Sequence, residues 1–362
     1  MFSNKYVREM KPYPLTSHRA WEREGEEDVL KLDWNEATIA PSPTVISSIV
    51  DFLSSGRLNW YPDVNNAELL KELSYYCSIP EKYIQYFASS DSLHEYLAKC
   101  FIEVGDRVSI ISPTYDNFRA TVESCGAIVN YYYLDKSFNF CFENLRDYLN
   151  HENPKIVYIC NPNNPTGTIY SPEDLEALAK EFINILFIVD EAYFEFAKVT
   201  CKDLVLSCGN LVICRTFSKA FALASFRVGY AIASTDIIET ITKIRNPKNI
   251  STLSQIAAIS ALQDSAYMEE YVKQVLTAKK YFDQELSGLG LECFGNGGNF
   301  TLVKVQQELK KKLIDYLQSK NIFVRDYGHV NGMENYLRIT IGTLDQMKPV
   351  LTCIAKFIKE NE

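Results

Sequence analysis

The sequence predicts an α/β protein: a large domain with a mostly parallel central sheet flanked by helices, joined to a smaller α+β domain. Four short apolar runs rich in β-branched residues stand at 107–111, Ile156–Cys160, 185–189 and 211–214. Stretches of helical periodicity separate them, 172–182 among others. Near-continuous apolar strands alternating with helices mark a parallel sheet buried on both faces. The C-terminal part changes character. There, 251–289 reads as one long helix, and 300–305, 322–324 and 337–341 read as strands around a helix at 307–319. The large domain is expected over 45–255, with an N-terminal arm (1–44) and a small domain (256–362).

The elements follow in order. The first 40 residues read as irregular, with Pro12 and Pro14 and then Pro41 and Pro43 just beyond. Val45, Ile46, Ile49 and Val50 share one helical face, which predicts a helix over 44–53. Ala67–Cys77 repeats the pattern. Each strand of the middle region then runs into a polar or turn-rich motif. Ser112-Pro113-Thr114-Tyr115 follows the first. Asn161-Pro162-Asn163-Asn164-Pro165-Thr166-Gly167 follows the second. Asp190-Glu191-Ala192-Tyr193 follows the third, and Arg215-Thr216-Phe217-Ser218-Lys219 the fourth. Open α/β sheets bind ligands at the carboxyl ends of their strands, so four motifs on one edge can converge on one ligand.

Composition narrows the class. The 362 residues suit about two domains. With 23 Tyr and 20 Phe the chain is too aromatic for disorder. A net charge of −9 argues against wholesale binding to nucleic acid or an anionic membrane. No apolar run approaches the roughly 20 residues of a membrane span. The N-terminus lacks the apolar core of a signal peptide. The ten cysteines include no C-x-x-C pair, which suggests reduced, buried thiols in a cytoplasmic protein and no metal site.

Taken singly, each motif has an ordinary reading. Asp190 could cap a strand, Asn161–Gly167 could be a plain turn, and Ser89-Ser90-Asp91-Ser92 could cap the helical run that follows it. Tyr115 could be a core aromatic. A Walker B reading of Asp190 would need a phosphate loop, and the dipeptide Gly-Lys is absent from the chain. Together the parts make one demand. Lys219 offers a primary amine for a Schiff base, Asp190 a carboxylate for a protonated ring nitrogen, and Tyr193 and Asn164 partners for a phenolate oxygen. The Ser90–Asp91 helix start, Thr216, Ser218 and Arg227 make a phosphate cup. Tyr115 can stack on a flat ring. Pyridoxal 5'-phosphate needs all of these together.

The ordered motifs resemble the class I/II aminotransferases of fold type I, with an aspartate aminotransferase-like architecture. They look most like the histidinol-phosphate aminotransferase branch. The resemblance is carried by Asn-Pro-x-Asn-Pro-Thr-Gly, Asp-Glu-Ala-Tyr, Ser-Lys and then Arg227 eight residues on, by Trp60-Tyr61-Pro62-Asp63, and by Tyr336-Leu337-Arg338-Ile339-Thr340-Ile341-Gly342-Thr343. It implies that Lys219 bonds the cofactor and later moves the proton, and that Asp190 pairs with the ring nitrogen. It places Tyr193 and Asn164 at the ring oxygen and Tyr115 over the ring, with Ser90, Asp91, Thr216, Ser218 and Arg227 around the phosphate. Tyr61 would reach the other subunit's cofactor in a homodimer with shared sites. Arg338 would take the substrate carboxylate and Arg325 a distal phosphate, with Tyr13 closing over it. The expected partners are a small amino donor and a keto acceptor.

Two segments depart from the family pattern. Ser89-Ser90-Asp91-Ser92 stands where Gly-Ser-Asp-Glu is usual, and Asn35-Glu36-Ala37-Thr38 where Asn-Glu-Asn-Pro is usual. Both line the substrate side, so the substrate need not be histidinol phosphate. A decarboxylase of a phosphorylated amino acid, of the phosphoserine or phosphothreonine type, would keep the same lysine and arginines. A cofactor-sensing regulator would need an added helix-turn-helix domain, for which the residues before the match are too few.

Overall fold

The computed structural model describes residues 2–12, 19–23, 25 and 29–361. Among these, the strands in chain order are β1 (Leu30–Leu32), β2 (Ile84–Phe87), β3 (Arg107–Ser112), β4 (Ile128–Tyr133), β5 (Ile156–Cys160) and β6 (Leu186–Asp190). They continue with β7 (Leu211–Thr216), β8 (Gly229–Ala233), β9 (Glu292–Phe294), β10 (Phe300–Lys304), β11 (Ile322–Asp326) and β12 (Tyr336–Thr340). They form a seven-stranded sheet, β2-β8-β7-β6-β5-β3-β4, and a five-stranded sheet, β1-β11-β12-β10-β9.

The larger sheet is mostly parallel, because only β8 runs against its neighbours β7 and β2. Its central strands β5, β6 and β7 are apolar up to their carboxyl ends because both faces are covered. Val157 and Ile159 enter one core, and Ile156, Tyr158 and Cys160 enter the other, as the two-residue strand period requires. The covering helices are set by local signals. Pro172–Glu181 starts at a Ser171 cap, with proline in the first turn and Glu173 and Asp174 at the positive end of its dipole. It buries Leu175, Leu178 and Ala179.

Three differences from the sequence reading have physical causes. The expected helix over 251–289 is two helices, Thr252–Gln263 and Ser265–Gly288, broken at Asp264. Asp264 leaves the helical conformation and accepts a hydrogen bond from the Thr44 hydroxyl at 3.0 Å, a tertiary contact with no local signature. The N-terminal arm is not wholly irregular. Residues Lys5–Glu9 form a short helix, and β1 pairs in parallel with β11, nearly 300 residues away. The run after Arg227 is the reversed strand β8.

Across β5, β6 and β7 the register sets Cys160, Asp190 and Cys214 level with one another. The motifs after these strands therefore emerge side by side. No helix among the described residues is long and apolar enough to cross a membrane.

Candidate active site

Lys219 lies three residues beyond the end of β7. Its half-buried Nζ donates to the Trp34 carbonyl at 2.8 Å and stands 5.8 Å from the centre of the Tyr193 ring. Burial, helped by the nearby Arg338 guanidinium, pushes its pKa down to about 8. At pH 7 about a tenth of this amine is therefore uncharged and nucleophilic, far more than for an ordinary lysine.

Asp190, at the end of β6, is almost fully buried. Its Oδ2 accepts from the Tyr158 hydroxyl at 2.8 Å and its Oδ1 from the Ala192 N–H at 3.1 Å. Burial raises its pKa, while His94 and Tyr158 oppose the rise. Tyr193 and Asn164 meet, as expected: Asn164 Nδ2 donates to the Tyr193 hydroxyl at 3.2 Å. Asn35 Nδ2 also donates there, at 3.0 Å. The Tyr193 phenol is pushed up by burial.

The helix Ser90–Phe101 begins at a Ser89 cap whose hydroxyl accepts from the Ser92 N–H at 3.2 Å. It abuts β8 closely. A Cβ on Gly229 would stand 2.5 Å from the Ser90 nitrogen and 2.7 Å from the Ser89 carbonyl carbon. Gly229 is in turn the register partner of Thr216. The helix start, Thr216 and Ser218 are thereby gathered at one place. The Thr216 hydroxyl donates to Ser218 Oγ at 2.9 Å. Arg227, held at φ 54°, donates to Asp91 Oδ2 at 3.1 Å. Asp91 Oδ1 accepts from Tyr115 at 2.9 Å and Asn117 at 3.2 Å. The Asp91 side chain thus orients the arginine and the tyrosine, and its backbone belongs to the helix start, where free N–H groups can receive an anion.

Two buried arginines face each other across β11 and β12, where Arg325 and Arg338 are register partners. Directly opposite residues project from the same face. Arg338 Nη1 donates to Asn164 Oδ1 at 2.5 Å and to the Tyr327 hydroxyl at 3.0 Å. Its Nη2 donates to the Asp33 carbonyl. Its Nε is buried with no hydrogen-bond partner among the described residues.

Of the expected residues, Lys219, Tyr193, Asn164 and Arg338 share one network of contacts, Asp190 is held by Tyr158 and Ala192, and Ser90, Asp91, Tyr115, Thr216, Ser218 and Arg227 cluster at the helix start. Tyr61 does not join either group; it is 79% exposed, with Lys248 Nζ 4.5 Å from its ring centre. Tyr13 lies outside the described residues. The sequence reading assigned no role to His94, Tyr158, Asn35 or Tyr327. Tyr158 had a usable signal, since the two-residue period puts it on the same sheet face as Ile188 and Asp190.

A family model described as aminotransferase class I and II matches residues 27–354. Over 99% of its length the chain is 42% identical to the dihydroxyacetone phosphate transaminase of Campylobacter jejuni, of which it covers 98%. It is 34% identical to the histidinol-phosphate aminotransferase of Ruminiclostridium cellulolyticum, over 88% of this chain and 89% of that one. The crystal structure of histidinol-phosphate aminotransferase from Sinorhizobium meliloti, in complex with pyridoxal-5'-phosphate, has the same fold. Its TM-score is 0.90 at 24% identity, covering 100% of this chain and 98% of that one.

Proposed function

This chain belongs to the class I and II aminotransferase family, and we propose that the small substrate with which it exchanges an amino group carries a phosphate. It is a transaminase whose cofactor is pyridoxal 5'-phosphate. The residues fit that cofactor. A buried carboxylate, an amine lowered to about 8, a phenol–amide pair and a hydroxyl-lined helix start match its ring nitrogen, aldehyde, ring oxygen and phosphate. When bound, the cofactor supplies an aldehyde that receives the amino group and a ring that takes up electrons from the substrate's α-carbon.

The chain's own groups do the rest in this reading. Lys219 Nζ holds the cofactor and, once released, carries the proton as general base and acid. Asp190 offers its carboxylate to the ring nitrogen and favours its charged form. Tyr193 and Asn164 hold the ring oxygen, and Tyr115 covers the ring. The Ser90–Asp91 helix start, Thr216, Ser218 and Arg227 hold the phosphate. Arg338 takes the amino donor's carboxylate and Arg325 the phosphate of the acceptor, with Tyr13 over it.

The observation that carries the substrate class is the Arg325–Arg338 register pair. Like charges directly opposite one another on neighbouring strands destabilise a sheet. Two guanidiniums on one face suit a carboxylate and a phosphate. The relative from Campylobacter jejuni is named for dihydroxyacetone phosphate, a three-carbon keto phosphate, and that is the acceptor proposed here, with glutamate as donor.

The finer assembly belongs to the same proposal. The chain acts as a cytoplasmic homodimer in which Tyr61 serves the partner's site. Support comes from the exposure of Ile46, Val50, Leu53, Leu58, Trp60 and Tyr61, and from ten free cysteines. The large domain spans 45–255, and 1–44 with 256–362 make the arm and small domain.

The test is to add glutamate alone to the holoenzyme and follow cofactor absorbance, 2-oxoglutarate and carbon dioxide. Production of 2-oxoglutarate, followed by recovery of the original spectrum on adding dihydroxyacetone phosphate, supports the reading. A cofactor unmoved by any amino donor, with carbon dioxide released from phosphoserine or phosphothreonine, overturns it.

A further inference from the structure

His94 is fully buried on the helix Ser90–Phe101, and among the described residues neither ring nitrogen has a hydrogen-bond partner. The imidazole buries two polar ring nitrogens, which costs free energy unless something uses them. The ring is not free to turn away. It meets Phe118 edge-on at 5.4 Å and Tyr158 edge-on at 5.5 Å, and those two rings are stacked on each other at 4.5 Å. In this clamp Nε2 stands 3.5 Å from Asp190 Oδ2. The same oxygen accepts the Tyr158 hydroxyl.

We propose that His94, together with Tyr158, is a positioning residue of the active site: the two stand behind Asp190 and keep its buried carboxylate ionised and aimed at the cofactor's ring nitrogen. This rests on the reading that Asp190 receives that nitrogen. Tyr158 donates to Oδ2, His94 Nε2 faces the same oxygen at 3.5 Å, and the Ala192 N–H takes one lone pair of Oδ1. Oδ1 is then the less occupied oxygen. Burial and the neighbouring Asp91 carboxylate both favour a neutral Asp190, and His94 and Tyr158 work against them. A neutral carboxyl would still hold a ring in place by shape, and it would no longer favour a charged ring nitrogen. That difference separates a positioning role from a packing role.

The experiment measures equilibrium dissociation constants of the cofactor-free protein for pyridoxal phosphate and for its 1-deaza analogue, which has carbon in place of the ring nitrogen. Wild type should bind pyridoxal phosphate more tightly than the analogue. His94→Leu should weaken pyridoxal phosphate about tenfold and leave the analogue unchanged, so the preference shrinks. Tyr158→Phe, which keeps the stacked ring, should move the preference the same way. If both ligands weaken by one common factor in both variants, or the preference is unchanged, His94 and Tyr158 only pack the core and the inference fails. If wild type itself shows no preference, the role given to Asp190 falls first.

Discussion

Gly229→Ala tests the phosphate cup through a residue that has no side chain to contribute. An added Cβ would stand 2.5 Å from Ser90 N, 2.7 Å from Ser89 C and 2.9 Å from Arg215 O, all backbone atoms. An ordinary contact is about 3.5–4.0 Å, so the helix start must retreat from β8 by about 1 Å. The β7 side is less able to yield, because Thr216 and Gly229 are paired in the sheet. Overpacking of this kind costs about 1–3 kcal/mol of stability. It also withdraws the helix-start N–H groups from the position of the phosphate. A hydrogen bond to a charged group is worth about 1.5–3 kcal/mol, so losing one weakens pyridoxal phosphate by about 10- to 100-fold. Calorimetric titration of the cofactor-free variant reads this directly. Pyridoxal, which lacks the phosphate, serves as the control and should bind as it does to wild type. Wild-type affinity for pyridoxal phosphate, or an equal loss for pyridoxal, would refute the assignment of the helix start.

Lys219→Ala should fold and still bind pyridoxal phosphate non-covalently, and borohydride should no longer fix the cofactor to the chain; fixation on another lysine would remove Lys219 from its role. The depressed Lys219 pKa has a thermodynamic consequence. Between about 8 and the ordinary 10.5 the unfolded chain binds more protons at this residue than the folded one, so its contribution makes the cofactor-free protein more stable as pH rises through that window. Urea unfolding across the window should show that rise in wild type and a smaller one in Lys219→Met, and identical slopes would contradict the shift. Mixing Tyr61→Ala and Lys219→Ala chains should restore activity by forming heterodimers with one site free of both defects. Failure after verified subunit exchange would place Tyr61 outside the partner's site.

The large sheet and the motifs at its strand ends were legible because their signals are contiguous. Buried parallel strands are apolar without interruption, and each of Asn164, Asp190, Tyr193, Thr216, Ser218 and Lys219 sits within a few residues of a strand end. What was hidden depends on distant partners. Asn35 reaches Tyr193 only because β1 is placed beside β11, and its backbone is anchored by the Thr340 hydroxyl at 3.0 Å. Tyr327 joins Asn164 and Arg338 from a loop that carries no pattern of its own. Helix phase alone puts His94 beside Leu93 and Leu97 on a buried face, and a lone histidine there reads as core. The break at Asp264 likewise answers to Thr44, more than 200 residues earlier. Arg227 is exposed at the turn before β8, where its pairing with Asp91, far away in sequence, orients it.

The central claim is that two arginines on neighbouring strands divide the substrates' anions between them, and it is tested most directly by comparing two acceptors that differ only in the phosphate. The measurement is kcat/KM for dihydroxyacetone phosphate and for dihydroxyacetone, with glutamate as donor, in wild type and in Arg325→Gln. A phosphate held by Arg325 through charge-assisted hydrogen bonds, at about 1.5–3 kcal/mol each, should favour the phosphorylated acceptor by about 10²-fold or more. Arg325→Gln should erase most of that preference and leave the glutamate half-reaction near its wild-type rate. Equal use of the two acceptors by wild type, or a preference that survives Arg325→Gln intact, would contradict the account.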